Sequence, residues 1–306
     1  MSANKNIPAS IRQRLLNKAH ETNRPFNEIL QYYAIERFLY RISQSDYADK
    51  FILKGALMFR AWGASEYRPT RDIDLLGFTT NELNGVDKIF RELCEQGKEN
   101  DGLLFDQETV ESERIVEDAD YEGVRVNLIG HLGKANIPLQ IDICFSDIVS
   151  PAPDMIKYPT ILTMPGPELR GYPPESVVAE KLQALVFLGS INSRMKDFYD
   201  LWMMAERFEF DAQKLQKAIM NTFDRRNTPF PIETPIGLSE TFAAANQTQW
   251  HAFLQRIHVE SAPETFHDVS RTLRGFLVPL LQACASETEI KGKWKPGGPW
   301  ELDEEL

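Results

Sequence analysis

Cysteine is scarce in this chain of 306 residues, and the three present, Cys94, Cys144 and Cys284, lie far apart. None belongs to a C-x-x-C pair, and their odd number excludes a disulfide framework. Cys144 falls in the apolar run Ile141 to Phe145, which reads as the place of a buried structural thiol. No apolar run approaches the roughly 20 residues needed to span a bilayer, so no membrane association is expected. Met1 to Ser10 is polar and lacks an apolar stretch followed by a small-residue cleavage site, which makes the cytoplasm the expected compartment. The five histidines, His20, His131, His251, His258 and His267, show no metal-ligand spacing and read as structural. Positive charge is also short. Lysine and arginine total 34 against 45 acidic residues, a formal charge of −11, which disfavours nonspecific binding to a phosphate backbone. A nucleic-acid substrate would need a local basic groove working against that average.

What is present is an ordinary globular composition, 42% hydrophobic and 26% charged. Apolar residues at three-and-four spacing predict helix from Ile11 to Ile42, broken into two by Asn23-Arg24-Pro25. Phe51-Ile52-Leu53 is a short apolar entry to Lys54-Gly55 and a helix ending near Trp62-Gly63. Asp72 to Phe78 reads as a strand, Glu82 to Cys94 as a helix. Thr109 to Glu117 and Gly123 to Ile129 read as strands around a hairpin turn at residues 118–122. Pro138 to Phe145 alternates as a further strand, and a short strand is expected at Thr160 to Met164 within a Pro-rich connector. Helices follow at Glu175 to Leu188, Met195 to Phe208, Asp211 to Phe223, Gln247 to Ile257 and Pro263 to Ala285. The order is that of an α+β fold with a C-terminal helical region. The expected divisions are residues 1–165 for N-terminal helices and the mixed core, 166–285 for a helical region completing the active site, and a disordered tail at 286–306. In that tail Trp294 and Trp300 stand among lysines, either as a stacking surface for nucleic acid or as incidental aromatics.

The chemistry concentrates in Lys54-Gly55-Ala56-Leu57 and Arg71-Asp72-Ile73-Asp74-Leu75-Leu76. Residues i and i+2 of a strand share a face, so Asp72 and Asp74 project together while Ile73, Leu75 and Leu76 anchor the core. Paired carboxylates on a rigid strand suit Mg²⁺, with Mn²⁺ as a substitute, because the hard ion takes oxygen ligands and keeps positions open for phosphates. Asp142, between Ile141 and Ile143, is the candidate third metal ligand if its strand lies beside Asp72 and Asp74. Gly55 offers close backbone approach to a nucleotide triphosphate at a helix start, and Lys54 and Arg71 offer charge-assisted contacts to it. Later, Glu180-Lys181-Leu182 and Arg194-Met195-Lys196-Asp197-Phe198-Tyr199-Asp200-Leu201 place Lys181, Arg194 and Asp197 on helices, as nucleotide-holding and orienting groups.

Each element has a plainer reading. D-x-D occurs as a solvated strand end, and Lys181 as a snorkelling surface residue. Asp142 reads equally as the solvent side of an alternating strand. Asp197 and Asp200 would then merely pair with Arg194 and Lys196 on an exposed helix face.

Taken in order, Lys54-Gly55-Ala56-Leu57, Thr70-Arg71-Asp72-Ile73-Asp74, Glu180-Lys181-Leu182 and Arg194-x-Lys196-Asp197-x-x-Asp200-Leu201 resemble the AbiEii/AbiGii toxin family. The resemblance covers about Phe51 to Leu201. It implies a nucleotidyltransferase core of the DNA polymerase β type, acting as the toxin of a type IV toxin–antitoxin or phage-defence system. By the same resemblance Asp72 and Asp74 bind metal, Gly55 and Ala56 form the nucleotide-binding turn, and Lys181 and Asp197 are the later active-site pair. The substrate implied is a nucleoside triphosphate, the acceptor an RNA such as tRNA, and the partner an antitoxin encoded nearby. Ala56 departs from the Gly or Ser usual there, removing one phosphate contact. Two alternatives stay open: transfer to a protein or small-molecule hydroxyl, and a degenerate fold that only binds nucleotide.

Overall fold

The computed structural model describes residues 6–64, 68–96, 100–117, 121–257, 259 and 261–303. The hairpin turn expected at residues 118–122 falls in part, and His258 wholly, outside the described residues. The chain divides into two compact units. The first holds residues up to Gly63, Pro69–Ser146 and Asp154–Gly171, and the second the remainder, including Ala64, Arg68 and Asp147–Pro153.

In the first unit, α1 (Ile7–Thr22) and α2 (Phe26–Ser43) are separated where expected. Asn23 ends α1 in the left-handed conformation (φ 51°), which asparagine tolerates better than most residues, and Pro25 opens the next helix. The rest of the unit comprises β1 (Phe51–Lys54), α3 (Leu57–Ala61), β2 (Asp72–Gly77), α4 (Leu83–Glu95), β3 (Leu103–Glu117), β4 (Tyr121–Leu132), β5 (Ala135–Cys144), β6 (Asp154–Lys157) and β7 (Glu168–Gly171). Among the described residues the seven strands form one mixed sheet in the order β3-β4-β5-β2-β1-β7-β6. The pairs β2–β5 and β1–β7 are parallel and the others antiparallel.

Alternation decides which face of the sheet is core. Ile73 and Leu75 of β2, Leu139, Ile141 and Ile143 of β5, and Val124, Val126 and Leu128 of β4 are all at most 2% exposed. An aromatic cluster ties the helices to the strands: Phe38 of α2 lies 6.0 Å from Phe90 of α4 and 5.0 Å edge-on from Phe105 of β3, and Phe90 meets Phe51 of β1. Leu76 departs from the expected pattern. It was grouped with Ile73 and Leu75, yet strand parity puts it on the side of Asp72 and Asp74, where it is equally buried.

Buried charge also stitches this unit. Asp101, almost wholly enclosed, receives Arg41 Nη1 at 2.9 Å, Arg37 Nε at 3.2 Å and the Leu103 backbone N–H at 3.0 Å. Glu36 accepts the Ile161 N–H at 2.7 Å, and burial pushes its carboxyl up to about 7. The stretch Thr160 to Met164 is therefore not the expected strand. Its backbone is engaged by α2, and β6 and β7 form on either side of it.

The second unit contains α5 (Pro174–Leu188), α6 (Met195–Arg207), β8 (Phe210–Asp211), α7 (Ala212–Arg225), α8 (Glu240–Ala245), α9 (Gln247–Ile257), α10 (Phe266–Ala285), β9 (Gly292–Trp294) and β10 (Trp300–Leu302). Its helices close on Phe198, Phe242, Trp250, Phe253 and Phe266. The chain passes into the second unit for the last time after Gly171.

The tail, expected to be disordered, is folded through Asp303. β9 pairs with both β10 and β8. Gly297 and Gly298, with φ of 83° and 65°, make the turn that brings the two tryptophans together. Trp294 Nε1 donates to Ala205 O at 2.7 Å and Trp300 Nε1 to Phe276 O at 2.9 Å, and both rings pack on Phe276. Charge and glycine content suggested disorder, whereas the buried Trp294 and the half-buried Trp300 supply the missing core. Trp294→Ala is expected to destabilise the protein by about 3 kcal/mol or more. Urea unfolding checks this, and a change within about 0.5 kcal/mol, typical of an unstructured site, would refute a folded tail.

Candidate active site

β2 lies between β1 and β5, and its register fixes what stands beside each carboxylate. Asp74 is the cross-strand partner of Lys54 on one side and of Asp142 on the other. Asp142 is in turn opposite Arg125, and Arg125 opposite Glu113. Lys54, Asp74, Asp142, Arg125 and Glu113 thus form one row of charges across five strands, on the face opposite Ile73 and Leu75. One step along the sheet runs a second row, Asp72, Gln140, Asn127 and Glu111. That row lines a cleft of about 610 Å³, with Arg71 and Glu108 also on its wall. Arg71 is exposed there, and Asp72 and Asp74 are both half-buried.

Gly55 adopts φ +69°, a conformation open mainly to glycine. The space a side chain would need is filled by Asp74: a Cβ at residue 55 would sit 1.9 Å from Asp74 Oδ2. The glycine therefore lets the Asp74 carboxylate lie against the β1–α3 turn. Sequence reasoning gave Gly55 a role in admitting phosphate, and the neighbour it admits here is Asp74. Ala56 is only 4% exposed. α3 has five residues, so its dipole is short. Lys54 is buried with its Nζ 3.4 Å from Cys144 Sγ.

Asp142 stands beside Asp74 as its register partner, which is the placement the sequence reading required, and it is engaged there by an arginine. Arg125 Nε and Nη2 reach its two oxygens, each at 2.8 Å, and Gln140 Nε2 adds a contact at 3.2 Å. The hydrogen bond to Asp142 raises the Arg125 pKa further above its ordinary value. Among the described residues no group of three His, Cys, Asp or Glu side chains is disposed to hold a metal ion. The third carboxylate is instead paired with the guanidinium on the adjacent strand. What fits a divalent ion is the pair Asp72 and Asp74: two hard oxygen donors on one face, a common protein share of Mg²⁺ coordination when phosphates and water supply the rest.

The second unit carries its own charged cluster. Lys181 on α5 lies 2.5 Å from Asp197 and 3.0 Å from Asp200, both on α6. Arg68 grips Asp200 through Nε and Nη2, each at 2.9 Å. Asp197 and Asp200 are buried, so they are not the exposed helix ion pairs of the plainer reading, and Lys181 is not a snorkelling surface residue. Burial pulls the lysine toward neutrality, but Asp197 and Asp200 outweigh it and hold its pKa above the ordinary value. Burial likewise opposes charge on Asp197, and Lys181 overcomes it, leaving that pKa lowered. Each partner thus favours the charged form of the other. Arg194 caps the start of α6, where its backbone N–H donates to Asn192 Oδ1 at 2.9 Å.

A family profile described as "Nucleotidyl transferase AbiEii toxin, Type IV TA system" matches residues 37–272. The chain belongs to the AbiEii family. The match takes in Lys54, Gly55, both aspartates of β2, Asp142, Arg125, Lys181 and Asp197, and stops short of the tryptophan hairpin. As an AbiEii protein the chain is a nucleotidyltransferase. Two Helicobacter pylori crystal structures match this chain, each with a TM-score of 0.42. JHP933 is 12% identical, with 82% of this chain and 90% of that one covered; a candidate nucleotidyltransferase is 11% identical, with 82% and 93% covered. Neither adds to the family assignment at that score. No curated protein matches.

Two functional candidates escaped sequence reasoning, Arg68 and Arg125. Arg125 had a partial signal: it alternates with the buried Val124 and Val126, which sets it on the face away from that core, though nothing local names its partner. Arg68 stood in a loop with nothing in its neighbours to mark it. Cys94 and Cys284, pushed up by burial to about 12 and about 11, are unreactive structural thiols. No described helix is long and apolar enough to cross a membrane.

Gly55→Ala is expected to cost about 1–2 kcal/mol of stability from the left-handed backbone alone. By displacing Asp74 it should lower nucleotidyl transfer about 100-fold. Paired activity and urea measurements check this, and transfer near the wild-type rate would mean that Asp74 need not lie where Gly55 puts it.

Proposed function

We propose that this AbiEii protein transfers a nucleotidyl group from a nucleoside triphosphate to an RNA hydroxyl, with tRNA as the acceptor, and acts as the toxin of its toxin–antitoxin pair. The observation that carries the reading is the pairing of Asp72 and Asp74 on β2, with Asp74 seated against Gly55. The acceptor hydroxyl attacks the α-phosphorus and releases its proton to solvent, the bond to the β-phosphate oxygen breaks, and pyrophosphate leaves. Asp72 and Asp74 are the residues that would hold Mg²⁺ or Mn²⁺, which supplies charge neutralisation at the phosphates. Arg71, exposed on the cleft wall, would contact the triphosphate. Lys181 and Asp197 belong to the machinery as a charged pair, the lysine serving as a cation. Arg194, Lys54 and the Gly55-Ala56 turn are further nucleotide contacts in this reading. Type IV membership implies a cognate antitoxin, and a neighbouring reading frame is where we place it.

A second reading is favoured by the charge of −11 and by the cleft wall, where Asp72, Glu108 and Glu111 outnumber Arg71. That surface repels a polyanion and suits a protein or small-molecule hydroxyl.

Incubation with Mg²⁺, total tRNA and each α-labelled nucleoside triphosphate decides between them. Label is expected on tRNA, falling to background in Asp72→Ala and Asp74→Ala. Label on protein would transfer the conclusion to the second reading, and label that survives both substitutions would remove the carboxylate pair from the chemistry.

A further inference from the structure

We propose that Arg125 is a triphosphate-binding residue of this site, and that Asp142 positions Arg125 rather than ligating metal. The inference rests on the reading of Asp72 and Asp74 as the metal-binding pair.

The charge row is the starting point. Asp74 and Asp142 are register partners on parallel strands, spaced about 4.8 Å apart in the sheet, and two carboxylates so placed repel each other. The row answers with a cation at each flank, Lys54 opposite Asp74 and Arg125 opposite Asp142. Arg125 stands between Asp142 and Glu113 and gives both of its paired nitrogens to Asp142, so that carboxylate has a cationic partner without a metal ion.

The geometry of the guanidinium points the same way. Arg125 spends its Nε and Nη2 edge on Asp142 in a two-pronged pair. Nη1 takes no part in that pair, and the side chain is 33% exposed while Asp142 is 11% exposed. The carboxylate is thus the enclosed anchor and the guanidinium the accessible end. Arg125 also feels the charge of Asp72, and Glu113 lies on its other flank. An arginine fixed by a carboxylate, partly open to solvent and two strands from the β2 carboxylates on the same face is preorganised to take a phosphate oxygen. It supplies there a positive charge of the kind that a second metal ion gives a three-carboxylate site.

The test uses the full chain and two readouts, Mn²⁺ binding followed by electron paramagnetic resonance and binding of a non-hydrolysable triphosphate in Mn²⁺. Asp142→Asn, which keeps the side chain's shape, is expected to leave Mn²⁺ affinity within about twofold, whereas Asp72→Asn weakens it about 10-fold or more. Arg125→Ala and Asp142→Asn are each expected to weaken the triphosphate about 10- to 100-fold, and the double variant no more than Arg125→Ala alone. Arg125→Lys keeps the charge but loses the fork, and should recover only part of the loss. Loss of Mn²⁺ affinity in Asp142→Asn equal to that in Asp72→Asn would overturn the proposal and make Asp142 a metal ligand. Unchanged triphosphate affinity in Arg125→Ala, or additive effects in the double variant, would overturn it as well. If Asp72→Asn leaves Mn²⁺ binding intact, the metal-pair reading fails on its own, and the triphosphate data still decide the role of Arg125.

Discussion

The register of β2 is the constraint on which the site depends. A central strand paired antiparallel on one side and parallel on the other has no freedom to slip, because a one-residue shift would turn Ile73 and Leu75 out of the core and the carboxylates into it. That hydrophobic penalty holds Asp72 and Asp74 on the accessible face and fixes Lys54 and Asp142 beside Asp74. Gly55 completes the arrangement, since only a residue without Cβ leaves room for the Asp74 carboxylate at the turn after β1. The aromatic cluster of Phe38, Phe51, Phe90 and Phe105 acts at one remove, by anchoring the face that the register protects.

Both units bury charge, and the cost of doing so argues for use. Taking an ion from water costs several kcal/mol even after relaxation, and a buried pair often does no better than apolar residues of the same volume. Lys181, Asp197, Asp200 and Arg68 meet that cost by balance, two cations against two anions with short contacts among them. The result is a lysine that remains charged despite enclosure. A stability argument alone would not favour such a cluster, whereas a family whose substrates carry phosphates has a use for a fixed cation. The Arg37, Arg41 and Asp101 network is a contrast. It includes backbone groups at Leu103 and Pro165 and ties α2 to two loops, which is a structural task.

Much of this was legible in the residues. The D-x-D pair, the flanking alternation of β2 and β5, the helix break at Asn23 to Pro25 and the three helices α5 to α7 all follow from local patterns. What was not legible depends on partners distant in sequence. Asp142 could be placed on a strand, but nothing local says that Arg125 will face it 17 positions away. Arg68 reaches Asp200 across 132 positions, a distance no periodicity reports. Thr160 to Met164 has strand composition, yet α2 takes the Ile161 N–H that a ladder would need. The tail misled for a related reason: its glycines and charges resemble a linker, while Trp294 and Trp300 find their core on α6 and α10.

The most direct measurement is a crystal structure with Mn²⁺ and a non-hydrolysable nucleoside triphosphate, read in anomalous difference density. The account requires a manganese peak bridged by the carboxylates of Asp72 and Asp74, with the triphosphate on the same ion. A peak on Asp142, or none at the β2 carboxylates while the nucleotide is bound elsewhere, would contradict it.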